Sequence, residues 1–127
     1  MKKIINTPDA PKAVGPYSQA VEANGMLFIS GQIPIDPAFG RIMATGIKEQ
    51  TEQVMKNIGV ILKEAGYTYA DVVKTTCLLD DMGNFAEMNE VYAKFYPENA
   101  PARATYGVVR LPLGALVEIE TIAMRSV

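Results

Sequence analysis

The residues best suited to chemistry lie in two apolar segments near the C-terminus, PARATYGVV and VEIETIA. The first contains Arg103, and the second contains Glu118 and Glu120. Charged side chains usually stay out of apolar strands unless they are paired, solvated or used in binding. Arg103 could hold a carboxylate through two parallel hydrogen bonds, or it could be paired structurally with an acidic residue. A glutamate could orient a water molecule and accept its proton, whereas alternating glutamates are also typical of a solvated strand edge.

Composition narrows the chemistry that these residues could support. The chain has 127 residues, a formal net charge of −2, one cysteine and no histidine. Without histidine, Ser-His-Asp triads, Cys-His pairs and histidine metal sites are excluded, and no Gly-rich phosphate-binding loop occurs. The negative charge argues against a nucleic-acid partner. No apolar run approaches the ~20 residues that span a membrane, and a lone cysteine suits a reducing compartment, so we expect a cytoplasmic protein that does not enter membranes.

Hydrophobic periodicity and turn signals predict the elements that must position these residues. Two strands flank Asn24-Gly25, a strong hairpin signal. An apolar stripe predicts a helix over Ile47–Ala65, with Gly66 as its C-terminal cap. The β-rich run DVVKTTCLL predicts an interior strand. A second helix is predicted over Phe85–Phe95 and is ended by Pro97, while IDPAFGRI is predicted to be a loop.

The predicted order is β-β-α-β-α-β-β, which indicates a single α+β domain over residues 1–127. Two helices would pack on one face of a mixed β-sheet to give two layers. In the last strand, one set of alternating residues faces each side of the sheet: Val117, Ile119, Thr121 and Ala123 on one side, and Glu118, Glu120, Ile122 and Met124 on the other. Both sets are too apolar for simple exposure to water, so we expect the second face to be buried in an oligomer.

Three motifs together resemble one known family. They are GPYSQA at residues 15–20, ISGQIP at residues 29–34, and Arg103 of PAR followed fifteen residues later by Glu118 of EIE. These motifs are similar to those of the reactive intermediate deaminase family, RidA/YjgF, over essentially the whole chain. The resemblance implies a chorismate-mutase-like fold, a homotrimer with a small-molecule cleft between adjacent subunits, and no metal or other cofactor. It also implies hydrolysis of 2-imino acids such as 2-iminobutanoate and 2-iminopropanoate, released by PLP-dependent dehydratases, to 2-oxo acids and ammonia.

The resemblance also implies roles for particular residues. Arg103 matches the residue that clamps the substrate carboxylate, and Glu118 matches the residue that positions the attacking water. The residues that match the lining of the substrate pocket are Tyr17, Ser30, Gly31 and Asn89. By sequence alone, each of these four could equally be structural, as a loop anchor, a strand-end turn or a helix-surface amide. Glu120 is expected to be the solvated member of the glutamate pair.

Thr105 matches another substrate-binding position of the family, and here the chain departs from many relatives. Those relatives carry cysteine at this position, so thiol chemistry there is impossible in this chain. The lone cysteine, Cys77, lies inside the apolar run TTCLL. It is expected to be a small buried core residue.

The final two strands are predicted to form a simple antiparallel hairpin that turns around Leu113-Gly114. This register places Glu118 opposite Val109 and Arg103 near Met124. Arg103 and Val109 are then roughly 20 Å apart along one strand. An arginine and a glutamate cannot easily bridge that distance within one chain. If both serve one small substrate, we expect Arg103 of one subunit to meet Glu118 of its neighbour.

Three alternative functions stay open. A non-catalytic trimer could bind 2-oxo or 2-amino acids through the same arginine, and it would need Arg103 but not Glu118. An endoribonuclease, an activity attached to some relatives, is disfavoured by the absent histidine and the negative net charge. A chorismate mutase is suggested by the fold alone, which is a weak basis for assigning function.

Overall fold

The computed structural model describes residues 1–125 of the chain. They form eight strands and two α-helices. In chain order these are β1 (Lys3–Ile5), β2 (Ala20–Ala23), β3 (Met26–Gln32), β4 (Ile35–Asp36), β5 (Arg41–Ile42), α1 (Ile47–Ala65), β6 (Val72–Leu79), α2 (Phe85–Tyr92), β7 (Ala102–Gly107) and β8 (Val117–Met124). Short 3₁₀ turns at Tyr69–Asp71, Met82–Asn84 and Pro112–Gly114 connect them. None of the helices within residues 1–125 is long and apolar enough to cross a membrane.

Local sequence signals place the first helix and the first hairpin as predicted. The apolar stripe of α1 is buried, and Gly66 ends the helix in the left-handed region at φ 84°. Its backbone N–H donates to the Lys63 carbonyl, which satisfies one of the free carbonyls of the last turn. At the predicted hairpin turn, Asn24 and Gly25 both have positive φ and join β2 to β3 in an antiparallel hairpin.

The segment predicted to be a loop contains a small two-stranded sheet, β4 paired with β5. The N-terminal strand β1, which the sequence pattern does not predict, pairs with β2 at the edge of the main sheet. The second helix ends at Tyr92, three residues before the end of its predicted apolar stripe at Phe95. Short edge elements carry few apolar residues, so their periodicity gives a weak signal.

The main sheet has six strands in the order β1-β2-β3-β8-β6-β7, and the mixed α+β architecture is confirmed. The predicted C-terminal hairpin is wrong. Strand β7 pairs in parallel with β6, and β6 lies between β7 and β8. The reason is that α2 carries the chain from β6 over the sheet to a parallel neighbour, as a helical crossover does. The segment after β7 then returns the chain to the far side of β6 through a 3₁₀ turn.

Both helices lie on one face of this sheet, as predicted. Along β8, Val117, Ile119, Thr121 and Ala123 are buried beneath them, and the alternation predicted for this strand is confirmed. The opposite side of the sheet, called here the open face, carries Glu118 and Glu120. It also presents a set of apolar side chains that are exposed or half-buried in one chain: Phe28, Leu78, Tyr106, Ile122 and Met124.

Candidate active site

Two glutamates of β8 and the N-terminal loop line one groove of about 480 Å³. We call it the glutamate groove. Of the predicted site residues it contains Tyr17, Ser30, Gly31 and Glu118. Glu120, expected to be a solvated residue, is exposed and also lines this groove. The strand alternation explains why: Glu118 and Glu120 are two residues apart on β8 and therefore share a face.

Gly31 makes room for the Glu118 carboxylate. It lies at a register shift in the pairing of β3 with β8, between Ile29 and Gln32. A Cβ atom added at Gly31 would lie 2.9 Å from Cδ of Glu118, which is closer than carbon atoms approach. Any larger residue would push the carboxylate out of its position. Gly31 therefore acts on the site through Glu118, and the family motif alone does not reveal this contact.

The environment of Glu118 opposes its negative charge. Burial raises the pKa of this carboxyl above its ordinary value, and the negative charge of Glu120 raises it further. A carboxylate with a raised pKa is a better proton acceptor. Glu118 is thus a stronger proton acceptor than an ordinary solvent-exposed glutamate.

Ser30 and Tyr17 hold the loop that borders this groove. The Ser30 hydroxyl donates to the Ser18 carbonyl at 2.6 Å, and the Ser30 backbone N–H donates to the Gln19 carbonyl at 3.0 Å. Its side-chain proton is thus already used within the chain. The Tyr17 hydroxyl accepts from the Val14 N–H at 3.4 Å, and its side chain is more than half exposed. Tyr17 keeps its own O–H proton available for a ligand.

Arg103 lies on a different part of the sheet. It pairs with Thr75 across the parallel β6–β7 ladder and contacts α2, which places it on the helix face. Its Nη1 donates to Asn89 Oδ1 at 2.7 Å. Its guanidinium carbon lies 5.5 Å from the ring centre of Phe85 and 5.0 Å from that of Tyr92. We call these four residues the arginine cluster.

The arginine of this cluster is exposed and lacks an acidic partner in the described chain. The ion pairs formed within residues 1–125 join Lys48 to Glu90, Lys56 to Glu52, and Arg125 to Glu22. Arg103 takes part in none of them. The structural ion pair considered as an alternative role for Arg103 is therefore not formed within this part of the chain, and most of its guanidinium donors stay available.

Thr105 lies two residues beyond Arg103 on the same face of β7 and pairs with Cys77. Its hydroxyl is buried and has no hydrogen-bond partner within residues 1–125. Cys77 is fully buried, and burial raises the pKa of its thiol to about 11. A protonated, inaccessible thiol is inert, so the prediction that Cys77 is a core residue is confirmed.

Within one chain the structure keeps Arg103 and Glu118 apart. On β6, Arg103 pairs with Thr75 and Glu118 pairs with Leu78, so the two residues are three positions and two strand spacings apart. This corresponds to roughly 14 Å between their backbones. Their side chains also project from opposite faces of the sheet, because Thr75 and Leu78 have opposite orientation on β6. The separation predicted from the hairpin is therefore present, although its cause is the intervening strand.

The predicted site residues thus fall into two groups. Tyr17, Ser30, Gly31 and Glu118 meet in the glutamate groove, while Asn89, Arg103 and Thr105 meet at the helix face.

Sequence reasoning missed the aromatic partners of Arg103. The sequence pattern places Phe85 and Tyr92 only within the predicted second helix. Their spacing of i, i+4 and i+7 with Asn89 is the signal that could place all three beside one partner. Within the described residues, no cluster of three or more His, Cys, Asp or Glu side chains is arranged to hold a metal ion.

Comparison with known proteins places the chain among a well-populated set of relatives. Residues 7–125 match a family model described as Endoribonuclease L-PSP. The chain is 54% identical over 126 residues to a RutC family protein of Pyrococcus horikoshii, covering 99% of this chain and 100% of that protein. It is 47% identical to a Mus musculus protein named 2-iminobutanoate/2-iminopropanoate deaminase, covering 99% of this chain and 93% of that protein. The solved structure of E. coli TdcF with bound serine superposes with a TM-score of 0.93 at 41% identity, covering 98% of this chain and 99% of that one.

Proposed function

The chain belongs to the endoribonuclease L-PSP family, which includes the reactive intermediate deaminases, and we propose that it hydrolyses small 2-imino acids to 2-oxo acids and ammonia. Relatives named 2-iminobutanoate/2-iminopropanoate deaminase in mouse and human match nearly the full length of this chain. The resemblance found in the three sequence motifs is confirmed by these matches. The substrates that we propose are 2-iminobutanoate and 2-iminopropanoate.

One observation carries this proposal: a carboxylate-binding group, exposed Arg103, and a proton-accepting group, half-buried Glu118, each lie in an incomplete site. Arg103 has free donors on the helix face, and Glu118 has a raised pKa on the open face. Neither group has the other within reach in one chain. A second copy could supply the missing half, because the open face that carries Glu118 is apolar and uncovered in one chain.

The assembly proposed from the family resemblance is a homotrimer with three sites between adjacent subunits. In each site the arginine cluster of one subunit would face the glutamate groove of the next. Exposed Phe28, Tyr106 and Met124 on the open face would be buried on assembly. This arrangement would explain why charged side chains occupy apolar strands, since they become part of a shared site.

The first role in the reaction is orientation of the substrate. The planar guanidinium of Arg103 can donate two parallel hydrogen bonds to the substrate carboxylate, which fixes both position and rotation. The C2 atom would then face the groove of the neighbouring subunit. A related structure holds serine, a small amino acid with the same kind of carboxylate. This supports a substrate site whose size suits small carboxylic acids substituted at C2.

The second role is activation of water. Water attacks C2 of the protonated imine while Glu118 accepts one of its protons, and a carbinolamine forms. Glu118 returns that proton to the nitrogen, and the C2–N bond breaks to release ammonia. The second water proton then passes from the new carbonyl oxygen through Glu118 to that ammonia, which leaves as ammonium. Overall, the oxygen of one water ends on C2 and both of its protons end on nitrogen. The Tyr17 hydroxyl lies in the same groove and could donate a hydrogen bond to the carbinolamine oxygen.

The energetic demand on these groups is modest. Imines of this kind hydrolyse readily without a catalyst, and each tenfold gain in rate requires only ~1.4 kcal/mol. Positioning by Arg103 and proton transfer through Glu118 are each able to supply a gain of that order.

The direct test is a coupled assay. A threonine dehydratase generates 2-iminobutanoate, and the rate of its loss is followed with and without this protein at micromolar concentration. We expect faster loss with the wild-type chain and a rate close to the uncatalysed one with Glu118→Ala. An unchanged imine lifetime with the wild-type protein would contradict the proposed activity, and activity that chelators abolish would contradict the proposed mechanism.

Ribonuclease activity is a second candidate, because the matching family model is described as an endoribonuclease. Its test uses the same protein preparation and a labelled single-stranded RNA. Cleavage that survives purification and disappears in Glu118→Ala and Arg103→Ala would support it. The net charge of −2 weighs against tight binding of a phosphate backbone.

A further inference from the structure

Three side chains of α2 surround the guanidinium of Arg103 on one side. Phe85, Asn89 and Tyr92 have the spacing i, i+4 and i+7, which puts them on one stripe of the helix. Asn89 Oδ1 accepts from Nη1 of Arg103 at 2.7 Å. The two rings lie 5.5 Å and 5.0 Å from the guanidinium carbon, which is within the range of cation–π attraction.

The Tyr92 ring is itself fixed by the strand next to Arg103. Its hydroxyl forms a buried hydrogen bond of 2.7 Å with Oγ1 of Thr75. Thr75 is the residue that pairs with Arg103 across β6 and β7. The contacts therefore run from Arg103 to Tyr92, from Tyr92 to Thr75, and back to the backbone beside Arg103. A closed set of contacts of this kind resists rotation of the arginine side chain more than a single contact would.

Such support matters because arginine is flexible. Its side chain has many rotamers, and a ligand must overcome the entropy cost of fixing one of them if the guanidinium is free before binding. A guanidinium that is already oriented loses less entropy when the carboxylate arrives. Only one of its five N–H groups is used by Asn89, so a pair of donors is left for the ligand.

We propose that Phe85, Asn89 and Tyr92 are positioning residues that hold the Arg103 guanidinium in one orientation before a carboxylate binds. Asn89 then acts on the ligand only through Arg103. Its amide oxygen holds the Nη1 donor, which leaves the other guanidinium donors oriented for the carboxylate. This inference rests on the proposed function only for the identity of the anion. The orientation of the free arginine is a property of the ligand-free protein and can be measured separately.

The first experiment measures that property by NMR. Rotation about the Nε–Cζ bond averages the Nη protons of a mobile arginine, whereas a held guanidinium gives separate signals. We expect resolved Nη signals for Arg103, assigned by their loss in Arg103→Lys, and averaged signals for the exposed Arg110. In Phe85→Leu the Arg103 signals should average. Averaged signals in the wild-type protein would overturn the proposal, whatever reaction the protein catalyses.

The second experiment measures the consequence for binding and turnover. We expect Phe85→Leu to raise KM for the imino acid, and Kd for the probe 2-oxobutanoate, by roughly 2- to 5-fold while kcat changes less. Phe85→Tyr keeps a ring face and should restore both constants. Phe95→Leu is the matched control, because Phe95 lies just beyond α2 and packs on Tyr69, with 5.4 Å between the two ring centres. This variant should lower thermal stability without changing KM or Kd.

The outcomes separate the two claims. If Phe85→Leu and Phe95→Leu lower stability equally and leave KM and Kd unchanged, the aromatic residues are structural and the positioning role is wrong. If 2-oxobutanoate binding weakens in Phe85→Leu but the wild-type protein hydrolyses no imine, the positioning role stands and the proposed reaction fails. Tyr92→Phe refines the assignment: it keeps the ring but removes the bond to Thr75, so averaged Nη signals are expected with a smaller change in KM.

Discussion

The glutamate groove and the arginine cluster lie on opposite faces of one sheet and surround their charged groups in different ways. Around Glu118, burial and the charge of Glu120 both disfavour ionisation and raise the pKa. Around Arg103, an amide oxygen and two aromatic rings favour the positive charge. The difference suits the two proposed tasks, because a proton acceptor has to be ready to become neutral and a carboxylate clamp has to stay charged.

The two regions also differ in how they depend on the rest of the chain. The arginine cluster is built by α2 and the edge strand β7, and its contacts are complete within one chain. The glutamate groove is built by β8, the irregular end of β3 and the N-terminal loop, and it opens onto an apolar face. Strand β6 separates the two regions. Each can therefore be altered without direct damage to the other.

The largest effect is expected in the arginine cluster. Arg103→Lys keeps the charge but replaces a planar fork with a single ammonium group, so we expect kcat/KM to fall about 100-fold or more, nearly as far as in Arg103→Ala. Steady-state kinetics on both variants, with circular dichroism to confirm folding, make the comparison. Near-normal kinetics in the lysine variant would contradict the carboxylate clamp.

A smaller loss is expected from Gly31→Ala in the glutamate groove. The added Cβ would lie 2.9 Å from Cδ of Glu118, so the carboxylate has to move. We expect kcat to fall about 10-fold, since a displacement of this size disturbs alignment with the water. Binding of 2-oxobutanoate should weaken less than turnover. If Gly31→Ala instead abolishes binding and leaves kcat unchanged in saturating substrate, Gly31 contacts the substrate directly.

The next largest effect is expected in Glu120→Gln, as a shift of the pH profile of activity. In the proposed mechanism hydrolysis requires ionised Glu118, so activity should fall as the pH drops through the pKa of that carboxyl. Glu120 helps to raise this pKa, and the acid limb should therefore move to lower pH in the variant. An acid limb that does not move, measured as kcat/KM against pH, would mean that Glu120 does not influence the titrating group.

Stability should follow the same titration. The pKa of Glu118 is raised in the folded chain, so the folded state binds the proton more tightly than the unfolded state does. The stability that this group contributes is present at low pH and is lost as the pH rises through the folded pKa. Removing the Glu120 charge lowers that pKa, so Glu120→Gln should be slightly more stable than the wild type at neutral pH.

The smallest effect on turnover is expected from Cys77→Ser, which touches neither region. The thiol is fully buried and its pKa is raised to about 11, so it is neutral and unavailable for chemistry. A buried hydroxyl in its place should lower the free energy of unfolding by about 1–3 kcal/mol. Thermal melting measures that loss. A folded serine variant without activity would show that the thiol has a function.

The contrast between these regions also explains what could be predicted from the sequence. Helix α1 and the alternation along β8 follow from local periodicity, and both are confirmed. The pairing of β7 with β6 could not be predicted, because an apolar strand pattern does not specify its neighbour. The segment around Leu113-Gly114 is predicted to be a hairpin turn, but it forms a 3₁₀ turn on a longer connection.

The candidate site divides in the same way. Arg103, Glu118 and their companions came from family motifs, which place residue types along the chain without giving their contacts. The contact between Gly31 and Glu118 depends on a register shift in β3, and the rings beside Arg103 depend on where α2 crosses the sheet. Both are tertiary features. Periodicity indicates that Phe85 and Tyr92 are apolar positions, but it cannot indicate which side chain they meet.

The central claim is that Arg103 of one subunit and Glu118 of another form one site. It is tested most directly by mixing two inactive proteins, Arg103→Ala and Glu118→Ala, after dissociation and reassembly. In the proposed trimer, mixed assemblies would contain some sites in which both residues are intact, so we predict that imine hydrolysis reappears in the mixture while each protein alone stays inactive. No recovery, with subunit exchange proven by native mass spectrometry of differently sized tags, would contradict the account and show that the two residues do not complete one site between subunits.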